Sequence, residues 1–363
     1  MNRALVSTPR ADGFHMPAEH APQQAVLMAW PERPDNWRGN AGPAGEAFAA
    51  VAAAIQPATP VVMCVSPASE ARARALLPAE VKVLIIPSND SWMRDIGPSF
   101  VVNGAGGLRG VDWPFNAWGG AVDGLYDDWS LDDAMAEQLL EWRGVERYRA
   151  PLIMEGGAIH VDGEGTCYTT AECLLHPSRN PQLGRTAIET CLGDYLGVDS
   201  VIWLPHGLYN DETNGHVDNI LHVVGPGEVA LTWCDDPGDP MYAICREAGE
   251  ALAAARDARG RTPLVHRLPL PGPLYVSETE AAGVTASAGM ARHAGERLAA
   301  SYANFLISNE RVVFPLLDPA QDDAARDALA SLFPSHTIVG VPGREILLGG
   351  GNIHCITQQV PQV

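Results

Sequence analysis

One thiol, one imidazole and three carboxylates stand in surroundings that could turn them to chemistry. Cys355 lies in Gly349-Gly350-Gly351-Asn352-Ile353-His354-Cys355-Ile356-Thr357-Gln358-Gln359. Glycines let a backbone turn sharply and approach a ligand closely, and they give the sulfur little side-chain cover, so Cys355 is a candidate nucleophile. His216-Val217-Asp218, read as a strand, puts both polar side chains on one face, because strand side chains alternate with period two. Asp95 follows Arg94, and Glu155 leads into a Gly-Gly turn. Each has a plainer use when taken singly. Cys355 could be a small buried hydrophobe, Asp95 an ion-pair partner or turn cap, Glu155 a charge beside a turn, and His216 with Asp218 a satisfied pair.

Taken together they have one chemical logic. Carboxylates in a partly dry cleft favour a cation, and a planar guanidinium meets carboxylates in bidentate fashion. Cys355 could attack the central carbon of such a group while His216 moves protons. Trp92, Trp113 and Trp118 lie near the acidic segments and could wall a cation, although Trp113 is as readily explained by core packing. A divalent metal is the rival use of His, Asp and Glu. The sequence has no His-Glu-x-x-His and no run of histidines, so no metal is expected.

The elements that must position these groups show a repeated layout. Five segments have a polar or Gly-rich lead-in and then a strand, and in four of them a turn and a second strand follow. They are Arg94 to Val111, Gly156 to Thr169, His216 to Trp233, Tyr302 to Leu316, and Gly351 to Thr357 near the chain end. Gly156-Gly157-Ala158-Ile159-His160-Val161 aligns with Gly350-Gly351-Asn352-Ile353-His354-Cys355, so Val161 takes the place of Cys355. Gln24 to Trp30 could supply the strand that the fifth segment lacks and so close a ring. Between the segments, apolar residues at three-to-four spacing predict helices over Glu46–Ile55, Ser69–Leu77, Leu131–Trp142, Gly184–Leu196, Met241–Arg256 and Gln321–Phe333. Repeats of roughly 50 to 85 residues fit hairpins with inserted helices. The expectation is a single α/β domain over residues 1–363, a closed ring with pseudo five-fold symmetry and the strand starts facing a common centre. An open doubly wound sheet is the alternative, disfavoured because the tight turns look like hairpins rather than helix crossovers.

Composition narrows the class. The 363 residues are 46% apolar, enough for a large core, and 44 acidic against 24 basic side chains give a net charge of −20. Such a chain repels nucleic acid and anionic membranes and draws cations, so neither partner is expected. No apolar run reaches the ~18 to 20 residues of a membrane span, and the first twenty residues lack a signal-like apolar core. Seven cysteines at irregular spacing, with no Cys-x-x-Cys, argue for a reducing cytoplasm over a disulfide framework.

Long motifs then carry a resemblance over nearly the whole chain. They include Met16-Pro17-Ala18-Glu19, Trp30-Pro31-Glu32-Arg33-Pro34-Asp35-Asn36-Trp37, Trp92-Met93-Arg94-Asp95 and Phe115-Asn116-Ala117-Trp118-Gly119-Gly120. Others are Glu155-Gly156-Gly157-Ala158-Ile159-His160, Tyr209 through Asn219, Arg297 through Tyr302, and the Gly349 to Gln359 run. The sequence resembles the agmatine deiminases of the guanidine-modifying enzyme superfamily. The resemblance implies a five-bladed α/β propeller, the pentein fold, that hydrolyses agmatine to N-carbamoylputrescine and ammonia on the way to putrescine. It implies no cofactor, and a homo-oligomer, a dimer. By motif match Cys355 is the nucleophile, His216 the general acid and then base, Asp95 and Asp218 the grip on the guanidinium, and Glu155 its support and the residue that orients His216. Trp92 and Trp118 are expected to line the substrate. Glu19, Asp211 and the tryptophans are candidates for the distal ammonium. Within the superfamily the alternative is an arginine or peptidylarginine deiminase, for which Arg94 or Arg344 would have to meet a carboxylate. Outside it, the alternative is a guanidine-binding protein without turnover.

Overall fold

The structure, a computed structural model, describes residues 4–287 and 290–363. Its strands are β1 (Gln23–Ala29), β2 (Val61–Val65), β3 (Lys82–Ile85), β4 (Ser99–Val102), β5 (Leu108–Asp112), β6 (Glu146–Arg149), β7 (His160–Val161) and β8 (Thr166–Thr170). They continue with β9 (Ser200–Leu204), β10 (Leu221–Gly225), β11 (Glu228–Trp233), β12 (Leu264–Pro269), β13 (Leu306–Ser308), β14 (Arg311–Leu316), β15 (Thr337–Pro342) and β16 (Gln358–Pro361). They form five small sheets among the described residues: β4-β5-β6, β7-β8-β9, β10-β11-β12, β13-β14-β15 and β16-β1-β2-β3. An open doubly wound sheet is therefore excluded.

Every blade repeats one rule. An antiparallel pair comes first, and the second strand of that pair then runs parallel to the next. A parallel neighbour needs a crossover, and a helix supplies it each time: Arg38–Ile55, Met135–Arg143, Arg185–Leu196, Met241–Ala254 and Asp322–Leu332. The blades thus contain both the hairpins and the helix crossovers that the sequence reading set against each other. In the fifth blade β16 pairs with β1, so the two chain ends close the ring, as the Gln24 to Trp30 strand was expected to do. The architecture is the pseudo-five-fold α/β propeller.

Burial explains why these segments take these forms. The middle strands β2 and β8 are buried at every residue, because a blade has neighbours on both faces. Met241–Ala254 buries Met241, Cys245, Ala248 and Leu252, an i, i+4, i+7, i+11 stripe that packs on its blade. Trp113 lies in the same kind of core, against Tyr195 at 5.9 Å, with its indole N–H on Ser99 Oγ. It is a packing residue.

The lead-ins differ from the sequence reading. His216-Val217-Asp218 is not a strand. His216 precedes a single 3-10 turn over Val217–Asn219, and Asp95 and Glu155 likewise sit on or before one-turn helices, Met93–Ile96 and Gly156–Ala158. The Gly351 to Thr357 segment is a turn, with β16 beginning at Gln358. Short turns hold each side chain at the axis before the chain enters its blade. The 3-10 turn, and not a strand's alternation, brings His216 and Asp218 to the same site.

Candidate active site

Gly157 shows how closely the groups converge. A Cβ placed there would lie 2.5 Å from His216 Nδ1, 3.0 Å from Asp95 Oδ1 and 3.1 Å from Asp218 Oδ2. Only glycine fits under three functional groups at once. Its N–H donates to Asp95 Oδ1 at 3.0 Å. Asp95 Oδ2 accepts from the Trp118 indole at 2.9 Å, and Ala117 and Trp118 hold left-handed backbone, φ 53° and 61°, to present that ring. Burial, helped by neighbouring Asp218 and Glu155, lifts the Asp95 carboxyl to about 6.

Cys355 is buried. Its thiol lies 3.6 Å from Asp218 Oδ2 and accepts the Asn304 side-chain N–H at 3.0 Å. Burial first, then Asp218 and Asp95, pushes this thiol well above its ordinary range, so the protein without a cationic ligand holds it protonated. A lowered thiol pKa from a neighbouring imidazolium is not what the site provides. Trp92 covers Gly351: a Cβ on that glycine would meet the Trp92 ring at 2.6 Å and Cys355 Sγ at 3.1 Å. The Trp92 indole is fixed by Asp90 Oδ2 at 3.1 Å.

His216 stands across from the thiol, with Nε2 3.4 Å from Glu155 Oε2 and Nδ1 3.9 Å from Asp95 Oδ1. Burial opposes its charge, but Asp95, the Cys173 thiol and Glu155 outweigh it and raise His216 well above its ordinary range. It is an imidazolium, able to give a proton. Burial would raise Glu155 too, yet Arg179 Nε, 2.8 Å from Oε1, more than offsets it and holds the carboxyl at about 2. Asp218 accepts from His354 Nδ1 at 2.7 Å through Oδ2, while its Oδ1 is buried with no protein donor. A buried carboxylate oxygen without a donor calls for a cationic one.

The five residues singled out in the sequence for the chemistry are therefore brought together. Some of the other expectations change. Glu19 is not at the mouth of the site. It lies on the far side of the nucleophile turn, accepting from Ile307 N–H at 2.8 Å and facing His354 and His222. Asp211 ties its own loop, accepting from Thr213, the His216 N–H and Asn219. Both departures have one cause: backbone and imidazole donors already use these carboxylates. Asn304, Arg179, Cys173 and His354 were not anticipated. Asn304 opens the fourth blade where the other blades carry a functional residue, and its polarity between Ala303 and Phe305 was the available signal.

Among the described residues, two donor clusters gather within 4.8 Å: Glu19 with His160, His222 and His354, and Glu155 with Cys173 and His216. Three histidines do cluster, from positions too far apart for the sequence to reveal. His354 Nε2 lies 2.7 Å from Glu19 Oε2, shorter than the roughly 3.3 Å edge of a tetrahedral site with ~2.0 Å bonds, so a proton fits between them and an ion does not. The His354–Glu19 pair is therefore read as a hydrogen-bonded ion pair and not as metal ligands.

A sequence profile described as Porphyromonas-type peptidyl-arginine deiminase matches residues 15–361. The chain belongs to this family. Proteins similar to it include a Photobacterium profundum protein provisionally named an agmatine deiminase, 59% identical over the full length of both chains. An Enterococcus faecalis agmatine deiminase, solved while catalysing its reaction, superposes with a TM-score of 0.97 at 45% identity over the whole of both chains. A C. jejuni agmatine deiminase, solved as a cysteine-to-serine variant with substrate bound, gives 0.83 at 26% identity over 96% of each.

Proposed function

We propose that this family member is an agmatine deiminase, a hydrolase that opens the C–N bond of a linear amidine and yields N-carbamoylputrescine and ammonia. The observation that carries the reading is the buried trio of Asp95, Asp218 and Cys355 with the open Oδ1 of Asp218. A guanidinium fits between the carboxylates with its carbon facing the sulfur. The cation relieves the charge that keeps the thiol protonated, the thiol proton leaves to solvent water, and the Cys355 thiolate attacks the guanidinium carbon to form an S–C bond. His216 gives its proton to the terminal nitrogen, the C–N bond breaks, and ammonia leaves. His216, now neutral, takes a proton from water. The water oxygen bonds to the amidino carbon, the C–S bond breaks, and the thiol and N-carbamoylputrescine are released. Glu155, fixed by Arg179, orients His216, and Trp92 and Trp118 wall the cleft.

Two arginines bear on the alternative substrate. Arg94 is buried against Gln359, Glu19 and the His354 carbonyl, and Arg344 is forked onto Glu280 at 2.7 and 2.8 Å. Neither is free to meet the carboxylate of arginine, which favours the decarboxylated substrate. Ammonia release from agmatine and from arginine tests the reading. A specificity constant higher for agmatine supports it, and one higher for arginine replaces the substrate while keeping the site. No release from either leaves a binding protein.

A further inference from the structure

His354 precedes the nucleophile and touches no substrate, yet its ring is held from both sides. Nδ1 is 2.7 Å from Asp218 Oδ2, and Nε2 is 2.7 Å from Glu19 Oε2. A neutral imidazole has one donor nitrogen and one lone pair. Against two carboxylates, the lone pair would face an anion at hydrogen-bond distance. Both nitrogens therefore carry protons.

We propose that His354 is a positioning residue of the deiminase reaction, an imidazolium clamped between Glu19 and Asp218 that fixes Asp218 Oδ2 so that Oδ1 meets the guanidinium. The proposal deepens the agmatine deiminase reading and rests on it.

The surroundings of His354 support one fixed charge and no more. Glu19, from the N-terminal segment, is anchored by the Ile307 N–H of the fourth blade and by Arg94 Nη2 at 3.5 Å. Arg94 also donates from Nε to the His354 carbonyl. His222, from β10, donates Nδ1–H to the Ala303 carbonyl at 3.0 Å and stacks on Phe305 at 3.9 Å, and its Nε2, 3.3 Å from Glu19 Oε1, makes no hydrogen bond, unlike the two nitrogens of His354. His160, from β7, lies with its ring 4.9 Å from that of His354 and 4.3 Å from that of His222. Burial drives His160 and His222 down and keeps them neutral, whereas Glu19 and Asp218 overcome burial and Arg94 at His354 and raise it. Glu19, Asp218, Arg94 and His354 then form a buried set of two anions and two cations. Asp218 is ionised because His354 outweighs its burial, and a buried anion stripped of such a partner is costly.

The test uses the full-length enzyme labelled with nitrogen-15 histidine, with the variants His354→Gln and Glu19→Gln. In the wild type, one histidine whose signals vanish in His354→Gln should show both ring nitrogens protonated across neutral pH. For agmatine turnover, His354→Gln should lower kcat/KM by about 10²-fold, mainly through KM, as expected when a group that grips the ground-state cation is displaced. The acid limb of kcat/KM, set in the wild type by Asp95, should steepen beyond tenfold per unit or move to higher pH as Asp218 loses its cationic partner and becomes a second group that must be ionised. Glu19→Gln should shift the limb the same way, and the double variant should be no worse than His354→Gln. A purely structural role would lower activity evenly without moving the limb. A single-tautomer neutral His354 in the wild type, or a limb unchanged in both slope and position in Glu19→Gln, overturns the proposal, and Glu19→Gln with the wild-type spectrum decides it if His354→Gln does not fold. A wild type that releases no ammonia from agmatine would instead overturn the reading of the function, while the nitrogen spectrum would still report on His354.

Discussion

Gly156-Gly157-Ala158-Ile159-His160-Val161 and Gly350-Gly351-Asn352-Ile353-His354-Cys355 open two blades of the same ring, and they do different work. In the first, His160 starts a strand, its buried Nε2 has no protein partner, and it is neutral. In the second, His354 sits in a turn between two carboxylates, and the next residue is a thiol beside Asp218 and Asn304. The shared motif sets the turn and the glycine clearance. What surrounds it sets the chemistry. Glycine serves both blades: Gly157 makes room for His216, Asp95 and Asp218, and Gly351 makes room for Trp92 and Cys355.

The largest effect should come from erasing the difference between the two copies. Cys355→Ala removes the nucleophile, and turnover of agmatine should fall by at least about 10³-fold with circular dichroism unchanged. Residual turnover near the wild-type level would break the comparison. Gly157→Ala should follow, because its methyl would displace three functional groups by a large fraction of an ångström, and such misplacement costs about 10²-fold in kcat. Steady-state kinetics on the folded variant reads this, and an unaffected kcat would mean that the convergence at Gly157 is not functional.

A milder effect concerns pH. Asp95 titrates at about 6 in the free enzyme. Its carboxylate grips the guanidinium only when ionised, so kcat/KM should fall below that pH by about tenfold per unit and be flat above it on this limb. A pH profile of kcat/KM with the limb near 4 would show that burial does not act on Asp95 as described. The smallest effect is at the rim. Arg344→Ala breaks a partly exposed pair with Glu280, should cost under about 1 kcal/mol by urea unfolding, and should leave the agmatine-to-arginine preference unchanged. A shift in that preference would give Arg344 a role in substrate choice.

Much of this was legible in the sequence, for identifiable reasons. Tight turns between short apolar runs marked the hairpins of blades one to four, and the helices betrayed themselves by their buried stripes, as in Met241, Cys245, Ala248 and Leu252. Cys355, Asp95, Glu155, His216 and Asp218 could be found because each opens a repeated segment. The remainder depends on contacts across blades. His354 could not be told from His160 without Glu19, which is 335 residues away in the chain, and Arg179 could not be joined to Glu155. The turn at His216 escaped because one 3-10 turn has no periodicity to read.

The central claim is that the Cys355 sulfur bonds to the guanidinium carbon. Rapid acid quench during agmatine turnover, followed by peptide mass spectrometry, tests it most directly. The account predicts an adduct on the Cys355 peptide with the mass of agmatine less ammonia, absent in Cys355→Ala. Turnover with no adduct on any cysteine, or an adduct on Cys173 that survives in Cys355→Ala, would contradict it.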